Sequence, residues 1–428
     1  MKLRRSILGL AILAIVIALV GFSAAVYLPQ YYQAQAYAAS DERASSVDKD
    51  LVAVNTRFAL AIFKELQAED QNKNIFISPL SISTALAMTY NGAEGSTKDA
   101  MAKALQYSSM DVGKMNEGYF NLIGSLENAD SQVSLKIGNS IWMEKSFEPK
   151  VDSSFTKRIT DYYRGEAFTR PFMDPKTVGE INGWISDKTN GKIDKMIDEI
   201  DPDMVMFLIN AIYFKGDWVK KFDASQTARA DFFLPNRSTV KVDMMPTSGT
   251  FSYYSGEGFE AVRLPYGRDK IAMYIFLPKE GIPLESLIGN LNQTAFDSFI
   301  SGFSPPKELD VMLPKFKLEY GIKRLNDVLT KMGMGIAFSG SANFNGMTSA
   351  DPAELYIGYV DHKAVVEVNE QGTEAAAATV VAMLSSGSAP IRTVFNVNRP
   401  FFFVIRDDRS GSILFMGKIV NPLQSSSP

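Results

Sequence analysis

Residues Val366 to Asn398 read VEVNEQGTEAAAATVVAMLSSGSAPIRTVFNVN. Val366 and Val368 alternate with Glu367 and Asn369, the period-two pattern of a half-buried strand. Gln371-Gly372 breaks the pattern, and alanines fill positions 375 to 378. Val380 to Leu384 is a short apolar run with strong β character. Ser385 to Pro390 is small and turn-like, and Val394, Phe395 and Val397 resume a strand. A connection this long inside a compact domain is either functional or disordered. Composition argues against disorder, because almost no charge falls between Glu374 and Arg392. The stretch reads as a segment able to join a sheet but bounded as though it lies outside one.

The rest of the composition narrows the chemistry. A chain of 428 residues, 46% hydrophobic and 21% charged, can bury a large core as one large domain or two medium ones. The net charge of −4, with no Lys/Arg cluster interleaved with aromatics, excludes a nucleic-acid partner. With no cysteine there is no disulfide, no catalytic thiolate and no Cys-based zinc site. A single histidine, His362, rules out a three-His or HExxH metal centre, and no metal or cofactor is expected. No G-x-S-x-G elbow supplies a nucleophile for that histidine, so the chain is not read as an enzyme.

At the N-terminus Lys2, Arg4 and Arg5 precede an uncharged run from Ile7 to Leu28. This is a signal peptide, with Ala34-Gln35-Ala36 as its cleavage site, or an uncleaved membrane anchor over residues 1–28. Either one places the body of the protein outside the cytoplasm, secreted or tethered to the outer face of the cell membrane. Any membrane contact is confined to that segment. Residues 29–50 read as a linker, 51–422 as one domain and 423–428 as a tail. Asn236 and Asn292 open N-x-S/T sequons.

Along the domain, Val54, Phe58, Ala61, Ile62 and Leu66 have helical spacing. Asn74 to Ile77 reads as a short strand, and Ser78-Pro79 as the N-cap and first position of a helix that ends near Asn91-Gly92. Helical signals span Pro175 to Ile193 and Lys317 to Gly333. Met204 to Phe214 is apolar enough to be a strand buried on both faces. FSYY, EAVRLPY and IAMYIFLP, between Phe251 and Pro278, alternate as strands, and Pro400 to Val420 reads as a β-hairpin around Asp407 to Gly411. Helices mixed with antiparallel-type strands, without a βαβ rhythm, give an α+β fold.

Six strings in order resemble the serpin superfamily: NIFISPLSISTALAMTYNGAEGSTKDAM (74–101), NAIYFKGDWVKKFD (210–223), LPKFKLE (313–319), HKAVVEVNEQGTEAAAAT (362–379), NRPFFFVIRD (398–407) and LFMGKIVNP (414–422). The resemblance implies three β-sheets, about eight or nine helices and an exposed reactive-centre loop. It implies a metastable suicide-substrate inhibitor of extracellular serine proteases that works as a monomer without an activating cofactor. The target protease attacks the loop and forms a covalent acyl-enzyme. The cut loop then enters sheet A as a new strand and the protease is trapped. The alternatives are a non-inhibitory binding or chaperone serpin, and an inhibitor of a papain-like cysteine protease.

On this resemblance Glu370, Gly372, Thr373, Glu374, Ala375, Ala376, Ala377 and Ala378 form the hinge. The inward-facing set is Thr373, Ala375, Ala377, Thr379, Val381 and Met383, all small or apolar, with no proline among them. Family spacing puts the reactive bond fourteen positions after Gly372, at Ser386-Gly387, with Met383, Leu384 and Ser385 setting specificity. A small residue there suits elastase-like or subtilisin-like enzymes. Cleavage after Leu384 or Met383 by a chymotrypsin-like enzyme is the second possibility, and Arg392 lies too far along to be the bait. The resemblance also implies a "shutter" of Ser78, Ser81, Asn210 and His362, in which His362 hydrogen-bonds Asn210 and serines of the 78–83 segment and could titrate near neutrality. It implies a "breach" of Trp218, Lys315 and Glu370 where the loop first enters.

Overall fold

The structure, a computed structural model, describes residues 31–127, 129–348, 355–373 and 392–424. The signal or anchor segment 1–28 and the loop residues 374–391 lie outside them, and so does the exposure expected of that loop. Among the described residues, ten α-helical segments surround a nine-stranded, a six-stranded and a two-stranded sheet. The α+β class follows directly.

The nine-stranded sheet is the hydrophobic backbone of the molecule. Its hairpin Phe401–Asp407 and Ile413–Ile419 is buried at almost every position, as FFFVI and ILFMG predict. Phe76 stacks on Phe403 and Phe415 with ring centroids 5.9 and 5.4 Å apart. Phe415 meets Phe214, which meets Tyr266, so one aromatic chain links this sheet to the six-stranded one. Helix Lys49–Glu69 packs over the hairpin with Asp48 as its N-cap. At the other end Lys418 donates to the carbonyls of Asp70 and Gln71, and burial pushes its ammonium down to about 8.

The six-stranded sheet positions the site. Its order is Phe316–Glu319, Val365–Val368, Gly372–Thr373, Met206–Asp217, Val133–Glu144 and Glu166–Arg170. Met206–Asp217 is covered on both faces, as its unbroken apolar run predicts. Ile212 and Phe214 join the main core, while Phe207, Ile209 and Ala211 join a second core with Trp142, Ile181 and Ile185 beneath helix Pro175–Lys188.

Two expectations are corrected. Residues 31–45, read as part of a linker, are helical, and helix Lys49–Glu69 follows almost at once. Ser40, Ala44 and Val47 are buried at helical spacing, and Arg268 lies 3.9 Å over the Tyr37 ring. The polar Gln/Tyr/Ala composition hid that face. Arg409 fastens it, donating to Asp407, Ser40, Asp41 and the Ser125 carbonyl. The helix expected from Lys317 begins only at Asn326. Phe316, Leu318 and Tyr320 are buried alternately, and Phe316–Glu319 is a strand, so the true period is two.

Asp407 is fully buried and Arg409 nearly so, so removing the cation strands a buried carboxylate. Arg409→Ala is expected to lower unfolding stability by about 3–5 kcal/mol, read from the denaturant midpoint. A loss below about 1 kcal/mol would show the pair to be solvated and the N-terminal helix held by something else.

Candidate functional site

The site is a parting in the six-stranded sheet. Thr373 pairs with Val368 on one side and Gly216 on the other, and Gly372 pairs with Asp217. The start of the hinge is therefore already seated between two longer strands. Asn369 makes the turn that leads into it: its Oδ1 accepts from the N–H groups of Gln371 and Gly372 at 3.1 and 3.3 Å, and its own N–H donates to the Gly372 carbonyl. Position 372 admits only glycine, because an added Cβ would lie 2.0 Å from the Gly216 carbonyl oxygen.

Side chains lock this seat from below and from the side. Thr373 is buried with its hydroxyl 2.7 Å from that of Tyr266. Burial pushes the Tyr266 phenol far above its usual range, so it stays neutral. Trp218 stacks on Tyr266 at 4.3 Å and donates its ring N–H to the Asn369 carbonyl at 3.0 Å. Its backbone N–H takes the Gln371 carbonyl, and that of Phe222 takes the Glu370 carbonyl. The Glu370 carboxylate is buried, with Lys315 Nζ at 3.1 Å and the Thr227 hydroxyl at 3.0 Å. Burial raises its pKa, but hydrogen bonds from its own backbone, Lys315 and Thr227 outweigh that and bring it below the usual carboxylate range.

Farther down the parting, the two sides are tied through the start of helix Pro79–Tyr90. Ser78 caps that helix by accepting from the Ser81 N–H at 3.2 Å. Its backbone N–H donates to His362 Nε2 at 3.0 Å, and its hydroxyl donates to the Leu414 carbonyl. One turn on, the Ser81 hydroxyl donates to Asn210 Oδ1. Asn210 Nδ2 reaches Asn139 Oδ1 at 2.5 Å, and Asn139 Nδ2 reaches the Tyr163 carbonyl at 2.6 Å. A cavity of about 480 Å³ opens here, with Met206, Leu208, Asn210, Tyr359 and His362 among its lining residues.

Ser78, Ser81, Asn210 and His362 thus gather in one place, and Trp218, Lys315 and Glu370 in another, with Gly372 and Thr373 between the central strands. Two expectations for His362 are corrected. Of its expected partners it bonds Ser78, through the backbone N–H, and not Asn210, whose oxygen and nitrogen are taken by Ser81 and Asn139. Nor does it titrate near neutrality, because complete burial pulls its pKa from 6.5 down to about 4. Glu374, Ala375, Ala376, Ala377, Ala378, Met383, Leu384, Ser385, Ser386 and Gly387 lie outside the described residues. Asn139, Gly216, Thr227, Tyr266 and Asn369 belong to the site without having been singled out. Gly216 and the turn-forming Asn369 carry a local signal, whereas the other three are brought in only by tertiary packing.

A sequence model of the serpin (serine protease inhibitor) family matches residues 53–422. The chain belongs to the serpin family. It is 35% identical over 382 residues to an uncharacterised serpin-like protein of Thermococcus kodakarensis, covering 88% of this chain and 86% of that protein. It is 34% identical over 378 residues to a serine protease inhibitor of Mus musculus, covering 87% and 88% respectively. Among solved structures it is similar to the thermophilic serpin tengpin in its native state, with a TM-score of 0.79 and 32% identity over 88% of this chain and 95% of that one. Human thyroxine-binding globulin matches with the same TM-score at 29% identity, over 88% and 99%. Serpins as a family are protease inhibitors rather than catalysts, and this serpin keeps the family's three-sheet fold.

The depressed pKa of His362 makes the tie at Ser78 pH-dependent. A state that exposes His362 binds a proton below about 6.5, whereas the native state resists until about 4. The contribution is fully present above 6.5 and declines as pH falls to 4, to a total of about 3 kcal/mol. Wild type should lose stability across that window, and His362→Asn should lose correspondingly less. Denaturant midpoints measured at intervals from pH 7 to 4 check this, and parallel profiles would contradict it.

Proposed function

We propose that this serpin is a suicide-substrate inhibitor of serine proteases outside the cell, trapping the acyl-enzyme by inserting its cleaved loop into the six-stranded sheet. The observation that carries this reading is the register of Gly372–Thr373 between Met206–Asp217 and Val365–Val368. Continuing that ladder residue by residue after cleavage would set Ala375 between Phe214 and Val366, and Ala377 between Ile212 and Ala364. Thr379 would fall between Asn210 and His362, beside the cavity, and Met383 opposite Met206. Strand Met206–Asp217 has 12 residues, the length needed to receive Gly372 through Met383.

The side chains suit the slot. Positions on one face of a strand recur every second residue, so the buried Thr373 sets Ala375, Ala377, Thr379, Val381 and Met383 facing the same core. None is charged or proline. Val381 and Met383 would each gain about 1.5–3 kcal/mol on burial. Ser386-Gly387 is the proposed reactive bond, with Met383, Leu384 and Ser385 presented to an elastase-like or subtilisin-like protease. Delivery outside the cell rests on Lys2, Arg4, Arg5 and the apolar run after them. Among the described residues no helix is long and apolar enough to cross a membrane.

A second reading, a non-inhibitory binding serpin, draws on the likeness to thyroxine-binding globulin. The inward-facing positions from Thr373 to Met383, free of charge and of proline, favour the inhibitor.

Incubation with elastase, subtilisin, chymotrypsin and trypsin is expected to give an SDS-stable adduct with the first or second, and to release a peptide that begins at Gly387. Thr373→Arg should convert inhibitor to substrate, with adduct yield falling at least tenfold, since an unpaired cation would have to replace a buried hydroxyl. Cleavage without adduct for all four proteases, or unimpaired trapping by the Thr373 variant, would refute loop insertion.

A further inference from the structure

Arg392 stands where the loop's distal stem joins the nine-stranded sheet. It is the basic residue nearest the proposed reactive bond. From Thr393 the backbone is already in the sheet: Thr393 pairs with Leu309, Val394 with Asp310 and Phe395 with Val311, all in parallel register. Phe395 is fully buried and meets the Tyr253 ring edge-on at 6.2 Å. The guanidinium is held as well. Nη2 lies 3.3 Å from Glu308 Oε2, and Nη1 lies 3.5 Å from Asp310 Oδ1. Glu308 and Asp310 are two apart on one strand and so point to the same face, straddled by the planar cation. The Thr250 hydroxyl steadies Glu308 by donating to its other oxygen at 3.4 Å.

We propose that Glu308 and Asp310 form a clasp that hides Arg392 from trypsin-like proteases and so determines which enzymes can cut the loop. A trypsin-like enzyme must draw the arginine into an acidic pocket and hold extended backbone on both sides of the bond. Here the side chain is already paired with two carboxylates and the residues after the bond are already paired in a sheet. Cleavage after Arg392 therefore requires the clasp to open and the start of the strand to leave the ladder. Without the clasp, such a cut would sever the loop near its distal anchor and waste the inhibitor. That purpose rests on the inhibitor reading, whereas the shielding itself does not.

The test is limited trypsin digestion of the full chain, with mass spectrometry following the fragment that begins at Thr393. The rate is normalised to that of a free peptide spanning residues 388–396. Glu308→Gln with Asp310→Asn is expected to raise cleavage after Arg392 about tenfold. In wild type, raising NaCl from about 0.05 to about 0.5 M should raise the normalised rate, because ion pairs this exposed are screened. The salt series decides if the double variant fails to fold. Wild type cut as fast as the free peptide, or a normalised rate indifferent to both charge removal and salt, would overturn the clasp.

Discussion

The close approach of two glycines governs the rest of this structure. Gly372 lies against the Gly216 carbonyl with no room for a side chain on it, and a Cβ on Gly216 would in turn strike the Tyr266 ring at 2.8 Å. Only because both positions lack a Cβ can a third strand start between Val365–Val368 and Met206–Asp217. Trp218, Tyr266, Thr227 and Lys315 then hold it there through stacking and hydrogen bonds to Asn369, Glu370, Gln371 and Thr373. Under the proposed insertion, the register of Gly372–Thr373 would fix the neighbours of the residues that follow.

Below that wedge the forces are of a different kind. The two sides of the parting are joined through the capped first turn of helix Pro79–Tyr90, which gives a backbone N–H to His362 and a hydroxyl to Asn210. They also touch through apolar side chains, with Phe207 meeting Tyr359 at 6.2 Å. Each buried polar group here has a partner, so the arrangement is stable while it lasts, but its net worth per hydrogen bond is only about 1 kcal/mol. A strand entering with small apolar residues would add ladder hydrogen bonds and buried area while disturbing few of these contacts. Under the proposed insertion, that difference in kind, directional ties before the cut and a continuous sheet after it, is what would make the intact fold metastable.

Much of this was legible in the sequence where pattern and local chemistry agree. The alternation at Val366 and Val368, the Ser78-Pro79 helix start and the fully apolar strand before Phe214 each reflect one backbone period or one cap. Residues 31–45 misled because a helix face built from Tyr37, Ser40 and Ala44 is weakly hydrophobic and is fixed by Arg409, some 370 positions away. Phe316 to Tyr320 misled because a short buried strand beside a helical run blurs the two periods. The structure brings His362 to Ser78, but its lack of a bond to Asn210 and its low pKa follow from how the folded sheet buries it. Tyr266 and Thr227 carry no local mark at all, and only the folded chain brings them to the hinge.

The central claim is that the loop ends as a strand of the six-stranded sheet. The most direct measurement is the thermal unfolding of the chain before and after a single cut within Leu384 to Gly387. If the cut loop joins the ladder that begins at Gly372–Thr373, the nicked protein must melt tens of degrees higher than the intact one, since Met206 to Lys215, the part of that strand not yet paired with Gly372–Thr373, gain a partner strand. A nicked protein that melts at or below the temperature of the intact chain would contradict the account.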